Sequence, residues 1–297
     1  MTGPLAIPAE VRARLASLRL APRRVSAAGG FGLHGSRHRG TGLEFAQYRP
    51  YEPGDEPRRI DWKLYARSDR YVVREAERDA ALTLWVVVDA TASMAQADLA
   101  RDGYSKLDAA ALVAACAFEL AARQGDRFGL LVVADGKLVP SPAGAGPRHR
   151  DRLLGTLAGL RASGAWPAEA GLRTVWDLVA PDSLVIFVGD GFDDAQLALA
   201  ERLSATRREV LDIQVLGADE RDFPFRDGRR FVDPESGAAL ELDASVARDA
   251  FLARFAQARA ERSRRLAAAG VRSVTAWLDE PVDAPLRRLF ARNGEAA

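Results

Sequence analysis

At 297 residues, 48% of them apolar, the chain is long enough to bury a full α/β core and carry an appendage or a second domain. A net charge of +1, from 42 basic and 41 acidic residues, leaves no electrostatic footprint for nucleic acid. No apolar run reaches the ~18 residues of a membrane span, and residues 1–24 lack a signal-peptide core, so the sequence reads as soluble and cytoplasmic. Almost all the cations are Arg; the lysines are Lys63, Lys106 and Lys137. A lone Cys116 inside an apolar helix forms no internal disulfide and suits a reducing compartment.

Val11, Leu15 and Leu18 recur at helical spacing, which predicts a short amphipathic helix over 9–20, stopped by Pro22. It either packs on its own domain or lies at an interface. Residues 27–42 are rich in Gly, with His34, Ser36, Arg37, His38 and Arg39 interleaved, and read as an exposed loop. The Gly-Lys-Ser/Thr of a phosphate loop is absent, and two histidines without a third ligand do not make a zinc site. Residues 44–78 are dense in Arg, Tyr, Trp and Asp around a Pro53-Gly54-Asp55 turn. Two readings stand for this segment. One is a polar-networked structural lobe, with Arg59 or Arg67 paired to Asp55 or Asp61. The other is a partner-docking surface formed by Arg49, Tyr51, Asp55, Arg59, Asp61, Trp62 and Arg67, residue types that dominate interaction hot spots. A strand is predicted over 71–77.

From Leu82 strands and helices alternate. Strands are predicted at 82–88, 128–133, 184–188, 209–216 and 271–277. Asp135-Gly136 turns the second of these back as a hairpin. Helices are predicted at 105–123, near 148–160 and 168–179, and at 193–206, 245–269 and 283–292. Ser105 and Asp108 form a variant capping box, and Asp193-Asp194 caps the helix after 190. The Arg-rich run 259–265 reads as a solvated helix face and His149 as exposed. Such alternation predicts an α/β fold, a mostly parallel sheet with helices on both faces. The division is expected at residue 80, with 1–80 as an N-terminal, strand-containing extension and 81–297 as the core.

Ligands of such sheets sit beyond the carboxyl ends of the strands. There, directly after an apolar β-branched run, stands Asp89-Ala-Thr-Ala-Ser-Met94. A carboxylate at a strand end, with hydroxyls at alternate positions after it, sets the oxygens of Asp89, Thr91 and Ser93 on one loop. Hard cations such as Mg²⁺ take such oxygens and keep positions open for a partner's carboxylate. Asp190 falls at the end of another strand and adds a second carboxylate. The plainer reading makes Thr91 or Ser93 a helix cap, but the next helix starts only at Ser105, well beyond the usual βα loop of about 2–6 residues.

Gly35-Ser36, Gly40-Thr-Gly-Leu-Glu-Phe45, Arg49-Pro-Tyr51, Gly54-Asp55, Arg59-Ile-Asp-Trp62, Ala66-Arg67 and Asp89–Met94, followed by Asp190, Phe223-Pro-Phe225 and Phe231–Gly237, together resemble a bacterial family, domain of unknown function 58. The resemblance covers roughly residues 30–292. It implies a Rossmann-like core of the von Willebrand factor A type carrying a metal-ion-dependent adhesion site. Asp89, Thr91 and Ser93 match its first motif and Asp190 its last, with Mg²⁺, Mn²⁺ or Ca²⁺ as the cation. The family's middle loop supplies a Thr where this chain reads Ser163-Gly-Ala-Trp-Pro-Ala-Glu169. Water or Glu169 would replace that ligand, or the site is vestigial. Trp166 and Pro167 either shield the site or simply pack. The family is associated with MoxR-type AAA+ ATPases and regarded as a scaffold or adaptor. Many members carry N-terminal membrane helices.

Three functions compete. The first is a non-enzymatic protein-interaction module, with a partly degenerate metal site and a MoxR-type ATPase as partner. The second is a metal-assisted phosphohydrolase with Asp89 as nucleophile; the acid/base carboxylate of such enzymes would stand two residues on, where this chain has Thr91. The third, a serine hydrolase using Ser36, lacks the Gly-x-Ser-x-Gly turn between strand and helix.

Overall fold

The computed structural model describes residues 5–21, 45–52, 55, 57–76, 82–99 and 101–291. The glycine-rich loop 27–42, with Ser36, His34 and His38, lies outside them, as do the side chains of Arg49 and Arg59. The chain forms two compact units: residues 26–81, and residues 1–25 together with 82–297. The described N-terminal residues 5–21 thus group with the core.

Helix α1 (Ala9–Leu15) opens the larger unit. Val11, Leu15 and Leu18 are buried as the periodicity requires. The chain just after the helix is tied down by Arg123, which donates to the Leu15 and Ala16 carbonyls at 3.1 and 2.9 Å.

In the smaller unit β1 (Phe45–Pro50) pairs antiparallel with β2 (Val72–Ala76), and α2 (Trp62–Ser68) lies between them in sequence. Asp61, expected on a docking surface, is buried and caps α2 instead. Its Oδ1 accepts from the Lys63 and Leu64 amides at 3.0 and 3.1 Å. A carboxylate at a helix N-terminus satisfies amides that have no intrahelical partner. Asp55 likewise closes its turn by accepting from the Glu52 amide at 3.0 Å. Tyr65 stacks on Tyr71 at 4.5 Å, with Tyr51 and Trp62 against the same pair. Trp62 keeps 55% of its surface exposed, and Arg67 is exposed.

The core continues with β3 (Thr83–Asp89), a small hairpin β4 (Ala97–Asp98) and β5 (Arg101–Ser105), and α3 (Lys106–Gln124). The β6–β7 hairpin (Arg127–Ala134, Lys137–Gly144) and α4 (Pro147–Ala158) follow, then α5 (Thr174–Leu178), β8 (Leu184–Gly189) and α6 (Asp194–Ala205). Next come β9 (Glu209–Leu216), α7 (Ala218–Asp222) and a second hairpin, β10 (Gly228–Val232) with β11 (Ala239–Asp243). The chain ends in α8 (Ala244–Ala268), β12 (Arg272–Trp277) and α9 (Ala284–Phe290).

Six strands form one sheet in the order β12-β9-β8-β3-β6-β7, all parallel except the edge strand β7. Alternate side chains of β3 enter opposite cores. Leu84, Val86 and Val88 pack with α3, α1 and α9, while Trp85 and Val87 pack with α5, α6 and the end of α8. A strand covered on both faces reads as an unbroken apolar run, which is why β3 stood out in the sequence. The α3 capping box forms as expected: Ser105 Oγ accepts from the Asp108 amide at 3.1 Å, and Asp108 accepts from the Ser105 amide at 2.9 Å. Cys116 is wholly buried, and burial pushes its thiol up to about 12, so it stays unreactive.

Two surface expectations are corrected. His149 is buried, with Nε2 2.7 Å from the Phe128 carbonyl oxygen and its ring against Phe128. In the Arg run, Arg262 turns inward and pairs with buried Asp212 at 2.6 Å.

Candidate metal centre

The centre of the sheet ends in a carboxylate. Asp89, the last residue of β3, is 2% exposed. Its Oδ1 accepts from the Thr91 amide at 2.9 Å and from Thr91 Oγ1 at 2.7 Å. Thr91 Oγ1 lies 3.2 Å from Ser93 Oγ. A short 3₁₀ turn, Ala92–Ala95, holds this loop, so the side chains at 89, 91 and 93 converge as the spacing predicted. The next strand makes room for them. A Cβ on Gly189, at the end of β8, would stand 2.5 Å from Asp89 Cβ; only a glycine lets the Asp89 side chain lie across that strand end.

Asp190 follows Gly189 and is also buried. Its loop is fixed from behind. Gln214 Nε2 donates to the Asp190 carbonyl at 2.9 Å, and Arg262 Nε donates to the Gly191 carbonyl at 3.0 Å while its Nη2 holds Asp212. Polar side chains of β9 and α8, far along the chain, therefore set where the Asp190 carboxylate stands. Asp193 caps α6, as expected, by accepting from the Ala195 amide at 2.6 Å.

The middle loop differs from expectation. Glu169 does not reach the site: it is exposed and pairs with Arg202. Thr174 is exposed at the start of α5. Trp166 takes part instead. Its indole Nε1 donates to Asp89 Oδ2 at 3.0 Å, and its ring is buried among Leu172, Val175 and Leu131. Two backbone bonds join the loops, from the Ser163 amide to the Ala90 carbonyl at 2.9 Å and from the Ala92 amide to the Gly164 carbonyl at 2.8 Å.

Two further charges enter that the sequence did not announce. Lys106, the first residue of α3, is fully buried; its Nζ lies 2.8 Å from Glu220 and 3.9 Å from Asp190 Oδ2. Glu235, in the turn of the β10–β11 hairpin, is exposed, and the Asp190 charge is among the groups that act on its carboxyl.

The electrostatics favour a cation. Asp89 is pushed up to about 6, first by burial and then by the charge of Asp190, against the pull of its bonds to Trp166 and Thr91. Burial, followed by the Asp190 charge, also raises Glu235. An oxygen cluster rich in negative charge, with two buried carboxylates and two hydroxyls, fits a hard divalent ion, which Asp89, Thr91, Ser93 and Asp190 would hold directly or through water. Among the described residues no three His, Cys, Asp or Glu side chains gather as a metal set by themselves; the hydroxyls complete this one.

The sequence profile of the family described as "Protein of unknown function DUF58" matches residues 47–265. The chain belongs to this family. An uncharacterized protein of Mycobacterium tuberculosis (strain H37Rv) and one of Mycobacterium bovis are each 32% identical to this DUF58 chain over 271 residues, 87% of this chain and 82% of theirs. Solved structures similar to this chain include BatB, a conserved hypothetical protein of Bacteroides thetaiotaomicron (12% identity, TM-score 0.41, 70% of this chain and 95% of that one). The SpRpn10 VWA domain is also similar (12%, 0.42, 70% and 95%). So is an aerotolerance-related membrane protein of Bacteroides fragilis (13%, 0.44, 71% and 96%). This DUF58 chain has an α/β fold, a mostly parallel six-stranded sheet covered by helices on both faces. Among its described residues, no helix is long and apolar enough to cross a membrane.

Proposed function

We propose that the chain is a non-enzymatic protein-interaction module whose strand-end site holds Mg²⁺ or a similar divalent ion and takes a carboxylate from a protein partner. One observation carries this: Asp89, Thr91, Ser93 and Asp190 stand at the carboxyl ends of neighbouring central strands, with both carboxylates buried and the hydroxyls bonded to Asp89 and to each other. The ion would supply the positive charge that the two carboxylates lack and a coordination position for an outside oxygen. The chain's own residues bind and orient it. Asp89 is fixed by Trp166 and Thr91, and Asp190 by the anchored loop behind it. A MoxR-type AAA+ ATPase is the partner class that the family resemblance supports, and a cytoplasmic setting suits the lone buried Cys116.

Titration calorimetry of the metal-free protein with Mg²⁺ and Mn²⁺, run beside Asp89→Ala, tests the site. Saturable binding that Asp89→Ala loses is expected. If neither ion binds, the metal reading fails. If Asp89→Ala folds and captures the partner as well as the wild type, the site is not where partners bind.

A further inference from the structure

We propose that the exposed face of α2 and the turn after it form a second docking surface, which takes an acidic, aromatic-bearing segment of a partner protein through Trp62, Tyr71, Lys63 and Arg67. It lies on the smaller unit, needs no metal ion and stands or falls separately from the strand-end site.

The helix is ordered at both ends but covered on no side. Asp61 caps its start, and at its end the Asp69 amide donates to the Tyr65 carbonyl at 2.8 Å. None of its seven residues is buried. The rings of the unit gather along it. Trp62 stands edge-on to Tyr65 at 6.0 Å, Tyr65 stacks on Tyr71 at 4.5 Å, and Tyr71 Oη donates to Tyr65 Oη at 3.3 Å. Each ring holds the next, so less side-chain entropy is lost when a partner arrives. Yet Trp62 and Tyr71 keep 55% and 50% of their surface in water. Such rings bury about 150–250 Å² each when covered, so about half of that area is still open to a partner.

Charge decides the occupant. Lys63 and Arg67 are four residues apart and share one helix face. Arg58 and Arg70 flank the helix, and all four cations are exposed. Among the described residues none of the four has an ion-pair partner. The nearest acids serve the backbone instead: Asp61 accepts from the Lys63 and Leu64 amides and Asp55 from the Glu52 amide. Glu52 and Asp69 are the exposed carboxylates left among the described residues 45–76. Of the residues first expected to dock a partner, Tyr51, Trp62 and Arg67 thus remain, and Lys63, Tyr65, Arg70 and Tyr71 join them. An acidic segment supplies the charge that the cations lack, and its own rings cover the aromatic row. Trp, Tyr and Arg are the types that dominate interface energetics, and opposite charge orients the encounter. Single-stranded nucleic acid needs a basic groove that follows its backbone. Cations confined to one short helix and its flanks, with Glu52 and Asp69 among them, favour the peptide.

The test uses the full chain in EDTA, with a fluorescent copolymer of glutamate and tyrosine as the probe and anisotropy as the readout. The wild type should bind it, more weakly as salt is added, and more tightly than polyglutamate without tyrosine. Lys63→Glu/Arg67→Glu should bind at least about tenfold more weakly, Trp62→Ala about fivefold more weakly or worse, and Asp89→Ala like the wild type. No binding by the wild type, or wild-type affinity in both the double variant and Trp62→Ala, overturns the surface. Loss of binding in Asp89→Ala overturns it too, because the probe would then sit at the strand-end site. Tighter binding of oligothymidylate than of the copolymer overturns the acidic-peptide reading in favour of nucleic acid. If the double variant melts well below the wild type, Trp62→Ala alone decides: weaker binding keeps the surface and wild-type affinity overturns it.

Discussion

The indole nitrogen of Trp166 donates to Asp89 Oδ2 at 3.0 Å, inside the protein. The bond turns a ring that also fills the second core into the support for one side of the candidate-site carboxylate, while Thr91 supports the other. Trp166→Phe keeps an aromatic side chain of smaller size, removes the donor and leaves a buried carboxylate oxygen without that partner. The expected cost is about 1–3 kcal/mol, read as a lower denaturant midpoint with an unchanged slope. Equal midpoints would mean that the bond contributes nothing net.

Gly189 is the second local requirement. Its Cα faces Asp89 so closely that an added Cβ would stand 2.5 Å from Asp89 Cβ, and neither atom sits on a flexible side chain. Gly189→Ala must therefore move the end of β3 away from β8. We expect a loss of about 1–3 kcal/mol from overpacking, together with weaker Mn²⁺ binding. Gly228→Ala, where an added Cβ meets nothing within 4 Å, serves as the control for affinity. If Gly189→Ala binds Mn²⁺ like the wild type, the close approach does not position Asp89.

The difference between what could and could not be read from the sequence is one of range. Asp89, Thr91 and Ser93 belong to one local pattern, a buried strand followed by alternating oxygens, and the pattern is enough to bring them together. Asp190 was legible because it ends another strand of the same sheet. Trp166 was visible as a residue, but the bond that defines it spans 77 positions. Lys106 looked like the first residue of a capped helix, and it is; nothing local says that its ammonium runs inward to Glu220. His149 and Arg262 misled for a related reason. Each lies among arginines that face solvent, and the helix turns that one position inward.

The ion pair between Arg14 and Asp283 ties the N-terminal helix to the C-terminal end of the core. Arg14 Nε and Nη2 donate to the two Asp283 oxygens at 2.9 and 2.7 Å, and Asp283 is wholly buried. Burial acts to raise the Asp283 carboxyl, but the bonds from Arg14 and the nearby Arg287 outweigh it, and its pKa is lowered. The sign follows from linkage. A carboxyl depressed in the folded state stabilises the fold above its unfolded pKa of about 3.9, and that stabilisation is lost as pH falls through the lower folded value. Asp283→Asn should cost about 2 kcal/mol at pH 7 and flatten the fall in stability below about pH 4. Urea unfolding at pH 7 and at pH 3 measures both. A wild-type acid limb that is unchanged in Asp283→Asn would show that other carboxyls carry it.

Lys106 makes the opposite demands of folding and of binding. It is fully buried between Glu220 at 2.8 Å and Asp190 at 3.9 Å. Lys106→Met keeps the aliphatic stem and deletes the charge. Breaking one side of a buried pair strands the other, so the metal-free variant should lose about 3–5 kcal/mol of stability. The same deletion removes a positive charge, 3.9 Å from Asp190, that repels an incoming dication. Mn²⁺ should therefore bind Lys106→Met more tightly, by about tenfold or more, and recover part of the lost stability by mass action. Calorimetry and thermal melts at matched Mn²⁺ separate the two effects. A variant that is destabilised but binds Mn²⁺ no better would mean that the ammonium serves Glu220 alone, and that the charge at Asp190 is balanced from elsewhere.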